Sequence, residues 1–183
     1  MSDELITDLV HMQRATQVQE AENLAFRSFV KIELPLSDRR LNALVQQTTQ
    51  EVWAGIDCRA CANCCKTSHP LFSKAEVERI AAHLGTTAED VRARYLEPSE
   101  AGKYTTRQLP CPFLQDNLCT IYPVRPAVCA GYPHLQRNFR SRLWQVIDNA
   151  AVCPIVYHVL ARLKAQYGFC RPRSRRRRQT HDI

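Results

Sequence analysis

Cysteines are the residues of this sequence whose type and spacing could do chemistry. Nine occur among 183 residues, and four of them fall within eight residues: Cys58, Cys61, Cys64 and Cys65. Four others follow at wider intervals: Cys111, Cys119, Cys129 and Cys153. Two residues between cysteines allow their thiolates to converge on one metal ion or cluster, as in zinc knuckles and iron–sulfur loops. These eight cysteines are the predicted metal ligands, whereas Cys170 is expected to be a buried thiol.

The spacing is compatible with iron or with zinc. Three cysteines separated by two residues each match the run that holds a 4Fe–4S cluster in bacterial ferredoxins, where a remote cysteine followed by proline adds a thiolate. Cys111-Pro112 and Cys153-Pro154 both have that form. A four-thiolate zinc site is the alternative. The predicted cofactor is therefore iron, as an iron–sulfur centre, or zinc.

Cys64 and Cys65 are adjacent, and adjacent side chains diverge. If the run is a loop, Cys58, Cys61 and Cys64 can surround one centre and leave Cys65 for another. If it is helical, Cys58, Cys61 and Cys65 share a face and Cys64 is offset. Both geometries indicate more than one metal or a bridged cluster, and eight cysteines suffice for two four-thiolate sites. Disulfide exchange within the run is a further alternative, although the strand-then-helix context of such motifs is missing.

The neighbours of the cysteines follow a pattern of their own. After the first run, the motifs are Cys111-Pro-Phe-Leu114, Cys119-Thr-Ile-Tyr122, Arg125-Pro126, Cys129 and Tyr132-Pro133. Together with that run they resemble the CxxCxxCC family of cysteine-cluster proteins, also called the YkgJ family, over about residues 57–134. The resemblance implies zinc or iron chelation by Cys58, Cys61, Cys64, Cys65, Cys111, Cys119 and Cys129. Cys153 lies beyond the part that resembles the family.

Other side chains near the cysteines have supporting roles in this interpretation. Four thiolates around a divalent ion leave a net negative charge, which Arg125 could neutralise. Three aromatic residues could shield the sulfurs from water: Phe113, Tyr122 and Tyr132. His69 and His134 each lie beside a proline near a cluster and are possible nitrogen ligands.

Two further function classes are compatible with the sequence. Proteins similar to the family include a flagellin lysine methylase, so a metal-containing methyltransferase-like enzyme is one alternative. Against it, no glycine-rich loop that could hold a nucleotide-like cofactor follows a strand. The other is an adaptor that contacts nucleic acid or a partner through the arginines of its tail, with the metal site as a scaffold. Those arginines are Arg173, Arg175, Arg176, Arg177 and Arg178.

The charge distribution separates this tail from the rest of the chain. The formal net charge is +7, but residues 171–183 contain six arginines and one acid, so the remainder is close to neutral. We expect the tail to be disordered. No apolar stretch approaches the roughly 20 residues that a membrane span needs, and the acidic start does not resemble a secretory leader. These features predict a cytoplasmic protein with no membrane contact.

Helical patterns surround the cysteines and must position them. Apolar spacing predicts a long helix over residues 3–32, with a solvated polar face (Gln13, Gln17, Gln19, Glu20 and Glu22), and a second helix that begins near Ser37. Ser73 begins a capping box, and Thr87 opens a shorter helix. A short strand is expected within 103–109, irregular loop over 110–133, and helices over 139–149 and 154–167.

These elements predict a mostly α fold with an irregular, cysteine-rich metal-binding loop region and little or no β structure. We divide the chain into a helical arm (1–55), a cysteine-cluster metal-binding domain (56–170) and the arginine-rich tail (171–183). The predicted function is metal chelation in the cytosol by the CxxCxxCC run and the downstream cysteines.

Overall fold

The computed structural model of the chain describes residues 5–169. Two predicted features lie outside this range: the solitary Cys170, and the tail arginines at positions 173 and 175–178. The described part is mostly helical and contains only short strands, which confirms the predicted fold class. None of its helices is both long and apolar enough to cross a bilayer.

The first third of the chain forms three helices and one π-helical segment. They are α1 (Leu9–Val18), α2 (Glu20–Ser28), the π-helical segment (Phe29–Glu33) and α3 (Asp38–Trp53). The single helix predicted over residues 3–32 is therefore wrong, because Gln19, with φ −91° and ψ 9°, separates α1 from α2. Two glutamates lie in the first turn of α2, where the helix dipole favours negative charge. Ser37 caps α3 as predicted and accepts a hydrogen bond from the Arg40 N–H.

The middle of the chain contains the first cysteine run and a small antiparallel sheet. Its elements are α4 (Cys58–Cys61), α5 (Asn63–Thr67), β1 (Leu71–Phe72), α6 (Lys74–Leu84), α7 (Ala88–Tyr95), β2 (Leu96–Pro98), a 3-10 turn (Glu100–Gly102) and β3 (Tyr104–Thr106). The central strand is β3, which pairs with β1 and β2 and confirms the strand predicted within 103–109. Ser73 forms the predicted capping box of α6, and Thr87 caps α7.

The segment 110–133, predicted to be loop, contains several short elements. They are β4 (Leu114–Gln115), β5 (Leu118–Cys119), a 3-10 turn (Tyr122–Val124) and α8 (Ala127–Ala130). β4 and β5 form a hairpin whose two turn residues, Asp116 and Asn117, both have positive φ, as tight hairpin turns require. The hairpin packs against a smaller hydrophobic core, which includes Phe72, Val77, Ile80, Phe113 and Ile121.

The larger core joins the N-terminal helices to two helices that follow the cysteines. These are α9 (Phe139–Asn149) and α10 (Pro154–Gln166), close to their predicted ranges. α3 packs against both of them. The buried side chains of this larger core include Phe26, Val45, Leu143, Ile155 and Val159. The cysteine-bearing segment is thus inserted between two parts of one helical core.

Lys164 of α10 is buried beneath the first two helices. Its ammonium group lies 2.7 Å from a Glu22 carboxylate oxygen and donates hydrogen bonds to the side chains of Gln19 and Asn23. The prediction that the polar face of the N-terminal helices is solvated is therefore wrong for Gln19 and Glu22. A buried ammonium group needs paired and hydrogen-bonded partners, and this face supplies them.

Candidate metal centre

The first four cysteines lie on two short helices rather than on one loop or one helix. Ala62 separates α4 from α5 and has a left-handed conformation, with φ 51° and ψ 13°. Asp57 caps α4 by accepting a hydrogen bond from the Arg59 N–H at 2.8 Å. Cys58 and Cys61 therefore occupy α4, whereas Cys64 and Cys65 occupy α5. The run is therefore neither the single loop nor the single helix considered from the sequence.

The downstream cysteines come from four different places in the fold. Cys111 precedes the hairpin, Cys119 ends β5, Cys129 lies in α8 and Cys153 caps α10. The Cys111 N–H donates to the Cys65 carbonyl oxygen at 2.8 Å, and the Asn117 side chain donates to the Ala60 carbonyl oxygen. These contacts hold the hairpin against the first run. All eight cysteines in the described range are free thiols.

Cys111 lies in the smaller core, and Cys65 and Cys119 pack against that core. Burial is the main reason that the pKa of Cys129 rises to about 12. Its nearby thiols add to this rise: they are Cys65, Cys111 and Cys119. Burial likewise raises the pKa of Cys111 to about 11, with further contributions from Cys65 and Cys119. We call Cys65, Cys111, Cys119 and Cys129 the hairpin set.

The other four thiols include Cys153, which lies at the N-terminus of α10. Burial raises the pKa of Cys153 to about 12, and the thiols of Cys58 and Cys61 contribute to the rise. The pKa of Tyr132 is raised first by burial and then by Cys153, Cys64, Cys61 and Cys58. We call Cys58, Cys61, Cys64 and Cys153 the helix set.

The two sets meet at Cys65. A hydrogen bond with the Cys64 side chain, followed by burial, raises the pKa of Cys65 far above its ordinary value. Cys65 also contributes to the pKa of Cys58, which rises to about 11 mainly because of burial. Cys65 is therefore the thiol through which the pKa values of the two sets are linked.

Backbone N–H groups oppose the effect of burial at three of the thiols. The Phe113 N–H lowers the pKa of Cys111, and the Ile121 N–H lowers that of Cys119. The Val156 and Ile155 N–H groups, at the start of α10, lower the pKa of Cys153. Burial is the larger effect, so the pKa values of all three thiols are raised.

Arg125 and Tyr122 lie beside the hairpin set. The Arg125 guanidinium lowers the pKa values of Cys119 and Cys129, in part opposing the effect of burial. It stacks on the Tyr122 ring at 3.9 Å from the ring centre and donates to the Tyr122 carbonyl oxygen at 2.7 Å. Tyr122 thus holds Arg125 in place. Its ring is exposed, so the structure does not show Tyr122 covering the sulfurs.

The two candidate histidines have other contacts. His69 Nδ1 is hydrogen bonded to Thr106, at 2.8 Å from its carbonyl oxygen and 3.0 Å from its hydroxyl oxygen. His134 lines a groove next to Trp53 of α3. Burial, together with the positive charge of Arg142, lowers the pKa of His134. Neither histidine contributes to the pKa shifts of these cysteine thiols.

Comparison with known proteins identifies the family. The sequence profile of the CxxCxxCC family, described as "Putative zinc- or iron-chelating domain", matches residues 57–154, which is more than half of the chain. The chain belongs to the CxxCxxCC family. The match confirms the resemblance inferred from the sequence and extends past residue 134 to include Cys153. No curated protein and no solved structure matches the chain.

Two features of this CxxCxxCC chain go beyond what its sequence indicated. One is Tyr132, which the sequence singled out as an aromatic residue that could shield the sulfurs, and whose buried hydroxyl has no hydrogen-bond partner. The other is Glu76, whose carboxylate completes the capping box of α6 and also accepts from the Ala127 N–H at 2.7 Å, at the start of α8. The Ser73-x-x-Glu76 spacing announced the first role of Glu76. Its second role depends on tertiary contact and leaves no local pattern.

The donor chemistry of this CxxCxxCC region fits iron or zinc. It offers eight free thiols, a nearby guanidinium and an unpartnered buried hydroxyl. Between residues 5 and 169, however, no three Cys, His, Asp or Glu side chains are already arranged to hold a metal ion. Loading would have to draw the thiols closer together. Metal binding in this region is therefore coupled to a local rearrangement.

Proposed function

We propose that this chain is a metal-chelating protein that binds iron, as an iron–sulfur centre, through the thiolates of its CxxCxxCC run and downstream cysteines. Zinc in the same thiolates is the competing assignment. We further propose that it works in a reducing compartment such as the cytoplasm, where clustered thiols persist. The free state of all eight described cysteines supports that location.

The family match carries this proposal, because it assigns zinc or iron chelation to the part of the chain that holds the cysteines. All eight cysteines of the described range fall within the matched residues 57–154 and are free thiols. A thiol that binds metal must become a thiolate, and backbone N–H groups lower the pKa values of Cys111, Cys119 and Cys153 against the larger effect of burial.

The surroundings of the thiols support the same conclusion. Cys111 and Cys153 are buried among apolar side chains, which would limit the access of water to a bound cluster. The Arg125 guanidinium supplies positive charge where a thiolate cluster leaves a negative excess. An iron–sulfur centre bound here would supply one-electron transfer. The protein's own residues would hold it, screen it from water and balance its charge.

The test is metal and acid-labile sulfide analysis of protein purified without oxygen, together with its visible spectrum. We expect iron, sulfide and a broad visible absorption band. Colourless protein that contains zinc without sulfide would overturn the iron–sulfur assignment. Protein that takes up neither metal would overturn the whole proposal.

A matched pair of variants assigns the metal to the cysteines. Cys61→Ser should lose metal and become less soluble, because metal binding and folding are linked. Cys170→Ser, outside both sets, should keep the metal content and melting temperature of the wild type. Full metal content in Cys61→Ser would contradict the ligand assignment.

A further inference from the structure

We propose that a surface beside the cysteines docks an acidic segment of a partner protein, together with an apolar side chain of that segment. The surface combines three arginines with three exposed apolar or aromatic side chains: Arg59, Arg79, Arg125, Leu118, Tyr122 and Val128. We call these six residues the arginine surface. None of them is a candidate metal ligand, so docking here goes beyond the proposed function and does not depend on which metal is bound.

The Tyr122 ring brings two of the arginines together. The guanidinium carbon of Arg125 lies 3.9 Å from the ring centre, and that of Arg59 lies 5.8 Å from it. Tyr122 is 39% exposed, so the ring is open to solvent beside both cations. Two positive charges at one ring repel each other, and a negative charge supplied from outside the chain would relieve that repulsion.

No carboxylate within residues 5–169 forms an ion pair with these arginines. The carboxylates that pair with arginines there are Asp38 and Glu51, and their partners are not part of the arginine surface. Asp57 and Glu76 lie near Arg59 and Arg79 in the sequence, but both accept hydrogen bonds from backbone N–H groups at the starts of helices. The positive charge of the surface is therefore left for a partner to neutralise.

Hydrogen bonds hold two of the arginines against one turn of the chain. Arg125 donates to the Tyr122 carbonyl oxygen at 2.7 Å. Arg79, on α6, donates to the carbonyl oxygens of Val124 and Arg125 at 3.4 and 3.3 Å. Side chains that are already ordered lose less conformational freedom on binding, which favours docking.

Exposed apolar side chains accompany the charge. Leu118 is 51% exposed and Val128 is 38% exposed. Leu118 lies next to Asn117, whose side chain donates to the Ala60 carbonyl oxygen and so joins the hairpin to α4, the helix of Arg59. Arginine and tyrosine are enriched where proteins dock, and residues of this kind carry much of the binding energy.

The same surface fits a protein better than a nucleic acid. Non-sequence-specific binding of a phosphate backbone needs a continuous track of positive charge. The exposed carboxylates of Asp57 and Asp116 lie in the α4 cap and the hairpin turn, where they interrupt such a track. The Arg125 guanidinium also occupies one face of the Tyr122 ring, on which a base would otherwise stack. We therefore assign the surface to an acidic protein segment.

Docking here would place the partner beside the candidate ligands. Leu118 directly precedes Cys119, and Val128 directly precedes Cys129. A protein bound to the arginine surface would thus sit next to the cysteine region rather than over the larger core.

The test uses the full-length protein and a short fluorescent peptide in which glutamates flank one leucine. Fluorescence anisotropy should show saturable binding that weakens as salt is added, because salt screens exposed charges. Replacing the glutamates of the peptide by glutamine, or its leucine by serine, should weaken binding about ten-fold in each case. A peptide without glutamate that binds as well as the first would overturn the proposal.

Variants of the chain locate the binding. Arg59→Gln and Leu118→Ser should each weaken binding of the acidic peptide about ten-fold. Arg92→Gln is the matched control, because the Arg92 guanidinium also lies over a tyrosine ring, that of Tyr104 at 5.7 Å, but outside the arginine surface. It should leave the affinity unchanged. Every variant retains the arginine tail, so any contribution of the tail is the same in all of them.

Metal content and circular dichroism of each variant show whether it is intact. If Arg59→Gln loses metal, Leu118→Ser decides the test. Equal affinities of wild type, Leu118→Ser and Arg92→Gln would overturn the proposal. Tighter binding of a single-stranded oligonucleotide than of the peptide, weakened by Arg59→Gln, would also overturn it and make the partner a nucleic acid. Wild-type protein without any metal would defeat the proposed function, whereas docking is judged by the peptide alone.

Discussion

The larger core and the cysteine region differ in what stabilises them. The larger core is closed by apolar side chains from helices α2, α3, α9 and α10, many of them fully buried. The cysteine region has short elements, a smaller core and eight free thiols. Apolar packing is enough to stabilise the larger core. The cysteine region has less apolar packing and carries metal ligands instead. The comparison predicts that metal matters to one region and hardly to the other.

Metal removal should have the largest effect, and it should be confined to the cysteine region. Thiolate zinc sites in small domains contribute about 10 kcal/mol of binding free energy. We therefore expect chelation to increase hydrogen exchange strongly in residues 57–134. The amides of α3 and α9, which carry no cysteine, should keep their protection. Uniform loss of protection across both regions would break the comparison.

Truncating the larger core should destabilise the protein with or without metal. Leu143 is fully buried, so Leu143→Ala should lower the free energy of unfolding by about 4 kcal/mol. Urea unfolding of the helices, followed by circular dichroism, measures the change. Leu24→Ala, at an exposed position of the same region, is the control and should have little effect. A loss for Leu143→Ala that disappears on metal loading would show that the regions are not independent.

Removing the buried charge on α10 should cost somewhat less. Lys164→Met leaves Glu22 without its partner in a largely buried position, which should destabilise the protein by about 3 kcal/mol. Adding Glu22→Gln to that variant should recover part of the loss, because the unpaired charge is removed. Thermal unfolding compares the variants, with the exposed Lys31→Met as the control. If the double variant is no more stable than Lys164→Met alone, the unpaired charge of Glu22 is not the cause of the lost stability.

Glu76 offers the smallest and most specific test, since it ties α6 to the helix that carries Cys129. Burial alone would raise its pKa, but hydrogen bonds from the Ala127 N–H and from Ser73 outweigh burial and lower the pKa. A lowered pKa adds stability that is fully present above the unfolded-state pKa and is lost as the pH falls through the folded-state pKa. Glu76→Gln should therefore cost about 1 kcal/mol at neutral pH, as for a lost cap.

The measurement for Glu76 is urea unfolding of metal-free protein as a function of pH. The difference between wild type and Glu76→Gln should shrink in acid, as the wild-type carboxylate is protonated. Glu78→Gln, at an exposed position on the same helix, should show no such difference. A gap that stays constant into acid would mean that the charge of Glu76 contributes nothing.

Local signals account for what could be predicted from the sequence. Ser37, Ser73 and Thr87 mark the starts of their helices because a cap acts within one turn. The cysteine spacing likewise identified the family, because it is a local pattern. The break at Gln19 was missed because apolar periodicity continues across it. Buried Lys164 was missed because its partners lie more than 140 residues away in the sequence.

The site was predictable in composition but not in arrangement. The identities of the candidate ligands follow from residue type and spacing. The left-handed backbone at Ala62 occurs at a residue type that rarely adopts it, so the sequence does not predict it. Nothing near Tyr132 in the sequence announces that its hydroxyl lacks a partner. Such features cannot be read from the local sequence and require the three-dimensional structure.

The insertion of the cysteines between two parts of one helical core has a consequence for biosynthesis. The helices α3 and α10 pack together, yet the whole CxxCxxCC run and the hairpin lie between them in the chain. On the ribosome, every cysteine up to Cys129 therefore emerges before α10 can dock. Such distant contacts form slowly. The nascent protein passes through an interval in which its thiols are exposed and helices α3 and α10 have not yet packed together.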